Sequence, residues 1–98
     1  MIDVNEVKAI IRRFEEKEGV RGVIICDSTG LPIKSNLAIE QTEEVSAYIT
    51  ALIGKSESCV KALDEGKLNF IRLETSKGGE AHEVMIAREE NLILIILK

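Results

Sequence analysis

Ninety-eight residues, 45% of them apolar and 31% charged, make a single domain spanning residues 1–98 with one core and no room for a second. A net charge of −4, with Lys and Arg scattered among Glu, offers no basic stripe of the kind a phosphate backbone requires, so nucleic acid is not an expected partner. The longest apolar run, Leu92 to Leu97, is far short of the roughly 20 residues that span a bilayer, and the N-terminus is charged from Asp3 onward. Direct membrane insertion is therefore not expected, and a cytoplasmic location is.

Asp3 followed by Glu6 has the form of a capping box, opening a helix with Val4, Val7, Ile10, Ile11 and Phe14 on one side and Lys8, Arg12, Arg13, Glu15 and Glu16 on the other. Gly19 supplies its stop. Val20 to Cys26 is β-branched and apolar on both parities, Asp27-Ser28-Thr29-Gly30 is a turn, and Leu31 to Ser35 is a shorter strand. These two strands form a hairpin. Pro32 cannot donate to a ladder, so the second strand belongs at a sheet edge with its prolyl nitrogen outward.

A connection through Asn36 to Gln41 leads to a long helix from Thr42 to Leu63, about 33 Å in length, that offers two surfaces on a helical wheel. Val45, Tyr48, Ile49, Leu52, Ile53, Cys59, Val60 and Leu63 recur at three- and four-residue spacing and form the expected core face. Nearly opposite lie Ala47, Ala51, Gly54, Ser58 and Ala62, all small, with Ser46, Thr50, Glu57 and Lys61 on the solvated arc between. Glycine inside a helix costs about 1 kcal/mol relative to alanine. Gly54 therefore suggests a close backbone approach, although surface helices also carry alanine without purpose.

Three strands follow: Leu68 to Thr75, His82 to Ala87 after the turn Lys77-Gly78-Gly79-Glu80, and Leu92 to Leu97 after the turn at Arg88 to Asn91. The first and last strands of the chain are apolar on both faces, so a helix must cover each side of the sheet. The fold expected is α/β of the α+β type, α-β-β-α-β-β-β, with a five-stranded antiparallel sheet in spatial order 2-1-5-4-3. Strand three then exposes a full-length edge with no proline. Two copies pairing antiparallel about Leu73 would set each Arg72 against the other's Glu74.

The residues supply no chemistry for turnover. Gly54-Lys55-Ser56 imitates a phosphate loop, but the motif needs glycine where Ile49 stands and a strand-to-helix junction where a helix interior lies. His82 has no nucleophile or metal partner at a useful spacing, and the carboxylates of Glu15-Glu16 and Glu43-Glu44 solvate helix faces. Cys26 and Cys59 read as small buried hydrophobes. No enzyme activity, cofactor or metal is expected.

The segment Gly19-Val20-Arg21-Gly22-Val23-Ile24-Ile25, then Thr29-Gly30-Leu31-Pro32-Ile33-Lys34-Ser35, then Leu68-Asn69-Phe70-Ile71-Arg72-Leu73 and His82-Glu83-Val84-Met85-Ile86-Ala87, resembles the roadblock family of dynein light chains. The resemblance implies a non-catalytic homodimer or paralogue heterodimer in which third strands pair into a ten-stranded sheet and the long helices lie antiparallel. It assigns Ala47, Ala51, Gly54, Ser58 and Ala62 to a helix-to-helix contact, and Phe70, Arg72, Leu73 and Glu74 to the paired edge. The partner it implies is a dynein intermediate chain, with association to the cytoskeleton; in related dimers it is a small Ras-like GTPase met on the two-helix face. Lys55 and Lys61 are the only cations of that helix and the candidates to touch such a partner. The Gly78-Gly79 turn and the Ile- and Leu-rich last strand depart from the animal light chains.

Overall fold

In the computed structural model, which describes residues 4–89 and 91–98, the chain runs α1 (Val4–Glu15), β1 (Gly22–Asp27), β2 (Pro32–Ser35), α2 (Ile39–Ala62), β3 (Phe70–Lys77), β4 (Glu80–Glu89) and β5 (Leu92–Leu97). The five strands form one antiparallel sheet in the order β2-β1-β5-β4-β3, as the apolar parity of the strands requires. The expected Asp3–Glu6 capping box and the side chains of Val4, Val7, Ile10, Ile11 and Phe14 lie outside the described residues.

Each face of the sheet has its own core. Ile24, Cys26, Ile86, Ile93 and Ile95 point to the side on which α2 sets Ile49 and Ile53. Val23, Ile25 and Leu94 point to the other and are equally shielded, on the side left to α1, which lies against β1 and β2. Central strands buried on both faces explain why β1 and β5 carry unbroken apolar runs.

β2 is an edge strand, as Pro32 demands. Its register against β1 slips between Ile25 and Cys26, leaving Ile33 as the extra residue of a bulge. A short, bulged, proline-bearing edge resists pairing with another chain. β3, at the opposite margin, is eight residues long with neither proline nor bulge in its register. The β3–β4 turn closes tightly at Gly78 and Gly79, both with positive φ, between the paired residues Lys77 and Glu80. Two consecutive positive φ values match the twist of a two-residue hairpin, which glycine adopts without steric cost.

α2 departs from the wheel in a way that matters for its orientation. It begins at Ile39, three residues before the expected start, and its buried residues are Thr42, Ser46, Ile49 and Ile53. Ser46 was expected on the solvated arc and is instead 2% exposed, whereas Tyr48, Cys59 and Leu63, expected in the core, are exposed. The reason is local chemistry. The N-terminal half of α2 meets the β1–β2 hairpin through hydroxyls as well as through the hydrocarbon of Val45 and Ile49. Thr42 Oγ1 donates to Ser35 Oγ at 2.8 Å, which also accepts the Leu37 N–H at 3.0 Å. The Cys26 thiol lies 3.4 Å from Ser46 Oγ, and Thr50 Oγ1 donates to the Ser46 carbonyl at 2.7 Å. Small polar groups that satisfy one another bury at little cost. Their presence turns the helix toward Ser46 and rolls Tyr48 outward.

Candidate association surface

The outward side of α2 is smooth. Ala47, Ala51, Gly54, Ser58 and Ala62 are all exposed, and a Cβ added at Gly54 would meet nothing within 4 Å. Nothing among the described residues therefore asks for glycine there. Ser58 turns its hydroxyl back to the Gly54 carbonyl at 3.1 Å, which further flattens the ridge. Lys55 and Lys61 are exposed on either side of it. Tyr48, 71% exposed, stands next to the ridge as an unburied aromatic.

The backbone of α2 passes over β1 and β2. On the same side of the sheet, Ile71, Leu73 and Val84 of β3 and β4 are only half-buried. On the reverse side, Phe70 is 51% exposed, and Arg72 and Glu74 follow it along the same face of β3. Arg72 is held at 2.6 Å by Glu83 of β4 and at 3.0 Å by Glu74 of its own strand. The hydrogen bond and charge of Glu83 raise the Arg72 pKa, and Arg72 in turn lowers that of Glu83. The predicted interchain partner of Arg72 is thus already in contact with it within the chain, a competition the sequence did not reveal.

The area is large. The chain exposes 6870 Å². A compact monomer of 10.8 kDa exposes about 5,500 Å². The radius of gyration, 13.8 Å, likewise exceeds the roughly 12.6 Å of a compact chain of this length.

Other expected features fall into place as structure. Gly54-Lys55-Ser56 sits inside α2, with no free helix terminus. His82 is part-buried on β4 with its Nε2 3.8 Å from Glu80. Cys26 is buried, and desolvation raises its pKa, whereas Cys59 is exposed, correcting the expectation that both are buried. Among the described residues, no group of three or more His, Cys, Asp or Glu is placed to hold a metal. Reading the sequence for periodicity missed Leu31 and Ile39, 65% and 72% exposed, which line a groove of about 420 Å³ between β2 and the first turns of α2. Ile39 lies well off the Ile49 stripe on the wheel, and that offset was the available signal.

The described residues thus form a five-stranded sheet with a smooth exposed helix ridge on one flank and an unpaired strand at one margin. The chain belongs to the Roadblock/LC7 domain family, whose model matches residues 6–98. Its fold is similar to that of MglB from Myxococcus xanthus (TM-score 0.83, 13% identity, 98% of this chain and 77% of that one). The gliding protein MglB from Thermus thermophilus is also similar (TM-score 0.79, 10% identity, 99% and 75%). A Roadblock/LC7 domain from Streptomyces avermitilis gives a TM-score of 0.73 at 13% identity, over 86% and 69% of the two chains. Identities this low establish the fold alone.

Proposed function

We propose that the protein is a non-catalytic roadblock-type dimer that regulates or scaffolds a small Ras-like GTPase. The observation that carries this reading is the coexistence on one chain of a ridge of small, exposed side chains, an unpaired strand edge and a half-covered apolar floor, in a molecule that exposes about 1,400 Å² more surface than a compact monomer. A stable interface buries about 800 Å² per partner. A second copy laying its α2 against this one, over Ile71, Leu73 and Val84, accounts for all three features, and the paired helices then present one broad outer face.

The GTPase reading is preferred to that of a dynein light chain for a residue-level reason. The motifs that carry the resemblance are fold determinants: a Cβ on Gly22 would press on Leu37 at 2.9 Å, and one on Gly30 would collide with Thr50. Those glycines speak for the hairpin and the helix on it, not for a motor partner. The similar structures reported above come from bacteria, and two of them are MglB proteins, one of them described as a gliding protein. α2 contains no arginine, Arg88 is bound to Glu57 at 2.7 Å, and Arg72 to Glu83. A transition-state arginine is therefore not among the tools of this face, which favours a scaffold or an effect on nucleotide-state equilibrium.

The test has two stages. Sedimentation equilibrium at micromolar concentration is expected to give a dimer. Titration with Ras-like GTPases of the same cell, each loaded with GDP or a non-hydrolysable GTP analogue, is expected to give binding that favours one nucleotide state. A monomer overturns the assembly, and a dimer that ignores every such GTPase while binding a large motor subunit returns the reading to the light chain.

A further inference from the structure

We propose that the groove between β2 and the first turns of α2 is a docking site for an amphipathic helical segment of a partner protein, apolar on one side with basic residues beside the apolar ones. The groove lies at the sheet margin away from β3 and is complete within one chain, so the inference goes beyond the reading above and does not rest on the dimer.

The apolar surface comes first. Leu31 and Ile39 are two of the five large hydrophobics that the described residues leave in solvent, and both line this one groove. Each is held out on a fixed frame. The Leu31 N–H donates to Asp27 Oδ1 at 3.0 Å and its carbonyl accepts from the Asp27 N–H at 3.0 Å, while Ile39 opens α2 two residues after Leu37, whose own N–H is tied to Ser35. Side chains positioned in advance lose little freedom when a partner covers them. Beyond Leu31 a second hollow of about 410 Å³ shares Leu31, Pro32 and Glu43 with the groove and continues to Ala47 and Thr50. Together the two follow α2 from Ile39 to Thr50, about 16 Å, the length of three turns of a helix laid alongside.

Charge then selects the occupant. Glu40, Glu43 and Glu44 are exposed on the α2 side, Glu43 lines both hollows, and none of the three has an ion-pair partner among the described residues. Glu40 lies in the first turn, where a carboxylate serves the helix dipole, but Glu43 and Glu44 lie a turn further in, where that effect has faded. Lys34, the cation at the groove, pairs with Ile25 and so projects toward the α1 side of the sheet, away from these acids. An apolar trough with an acidic wall fits apolar side chains flanked by Lys or Arg. The same wall repels anionic lipid headgroups and nucleic acid.

The backbone of β2 decides between helix and strand. It offers four residues, one of them proline, with a slipped register, so an incoming strand finds no ladder to join. A helix arrives with its main chain already satisfied and needs only a trough for its side chains.

Selection from a phage-displayed library of helical peptides of about 16 residues, long enough to hold a helix, tests this on the wild-type chain with counter-selection on Ile39→Lys. Enriched sequences are expected to carry apolar residues at helical spacing with Lys or Arg beside them. The tightest of them, labelled for fluorescence anisotropy, is expected to bind Leu31→Lys and Ile39→Lys roughly tenfold or more weakly than wild type. Glu43→Lys is expected to weaken it roughly threefold or more, a loss that shrinks as salt rises. The same peptide with its Lys and Arg changed to Glu should prefer Glu43→Lys to wild type, which loss of folding cannot produce. The substituted side chains are exposed, so wild-type circular dichroism is expected throughout. A library that yields no sequence dependent on Ile39, or an acidic consensus, or an extended one with alternating apolar residues, overturns the proposal whatever the state of the dimer. A monomeric wild type that still binds the basic helix leaves it standing and removes the reading above.

Discussion

Replacing Gly54 by leucine separates folding from association by the sign of its effect. Within one chain the substitution is free of conflict, since no atom lies within 4 Å of the added Cβ and Gly54 has helical neighbours on both sides. Leucine is the better helix former by close to 1 kcal/mol, so the isolated fold should be as stable as before or more so. Against a second α2 the same side chain stands where two backbones approach. Overpacking of a well-fitted contact costs about 1–3 kcal/mol, and a two-fold axis applies it twice, which at 1.4 kcal/mol per decade weakens dimerisation by roughly 30-fold or more. Sedimentation equilibrium across a hundredfold dilution, beside circular dichroism of the same samples, reads both quantities, with Gly54→Ala as the mild control. A Gly54→Leu protein that stays helical and dissociates supports the ridge as a contact. One that dimerises with wild-type affinity refutes the argument, since the ridge would then be ordinary wetted helix.

Gly30→Ala is expected to act on folding instead. Gly30 has φ +90 and its absent Cβ leaves the space taken by Thr50, so strain and collision together should cost about 2–4 kcal/mol; urea unfolding at wild-type stability would sink this account. Titration with a thiol reagent should find Cys59 fast and Cys26 silent until the protein unfolds, as exposure and the raised Cys26 pKa require, and two equally reactive thiols in the native protein would contradict it. Asp27 accepts from the Thr29 hydroxyl at 2.6 Å and from the Thr29 and Leu31 N–H groups, which holds its pKa below the ordinary 3.8. Its ionised form therefore stabilises the turn fully above the usual carboxylate range, and that contribution fades as pH falls through the lowered pKa. Asp27→Ala should be less stable than wild type at neutral pH, with the gap narrowing below pH 4; a gap independent of pH would be evidence against it.

Topology was legible because the sheet buries both faces of its middle. Unbroken apolar runs at residues 20–26 and 92–97 identified β1 and β5 as central, Pro32 marked β2 as an edge, and the half-polar β3 fell to the other margin. The rotation of α2 was not legible, because a wheel weights hydrocarbon and gives no credit to hydroxyls. Ser46 and Thr50 read as residues of the solvated arc, yet Ser46 is buried against Cys26, and Thr42 beside them bonds Ser35, both partners coming from another part of the chain. The small ridge was visible in the pattern, but whether it was covered by the chain itself needed the fold. The Arg72–Glu83 contact depends on the β3–β4 register, and a sequence without that register shows only Arg72 and Glu74.

The hydroxyl seam under the first half of α2 carries a mechanical corollary. Hydrocarbon packing tolerates a helix that creeps along its axis or twists a few degrees, because one methyl can replace another. A directional bond from Thr42 to Ser35, with Cys26 set against Ser46 and Thr50 fitted beside Gly30, behaves more like a key in a slot, setting both the azimuth and the height of the rod. Two surfaces on separate parts of the chain, a helix flank and a strand margin, must be presented in a fixed mutual attitude if one symmetry operation is to engage both, and this keyed joint is what indexes them.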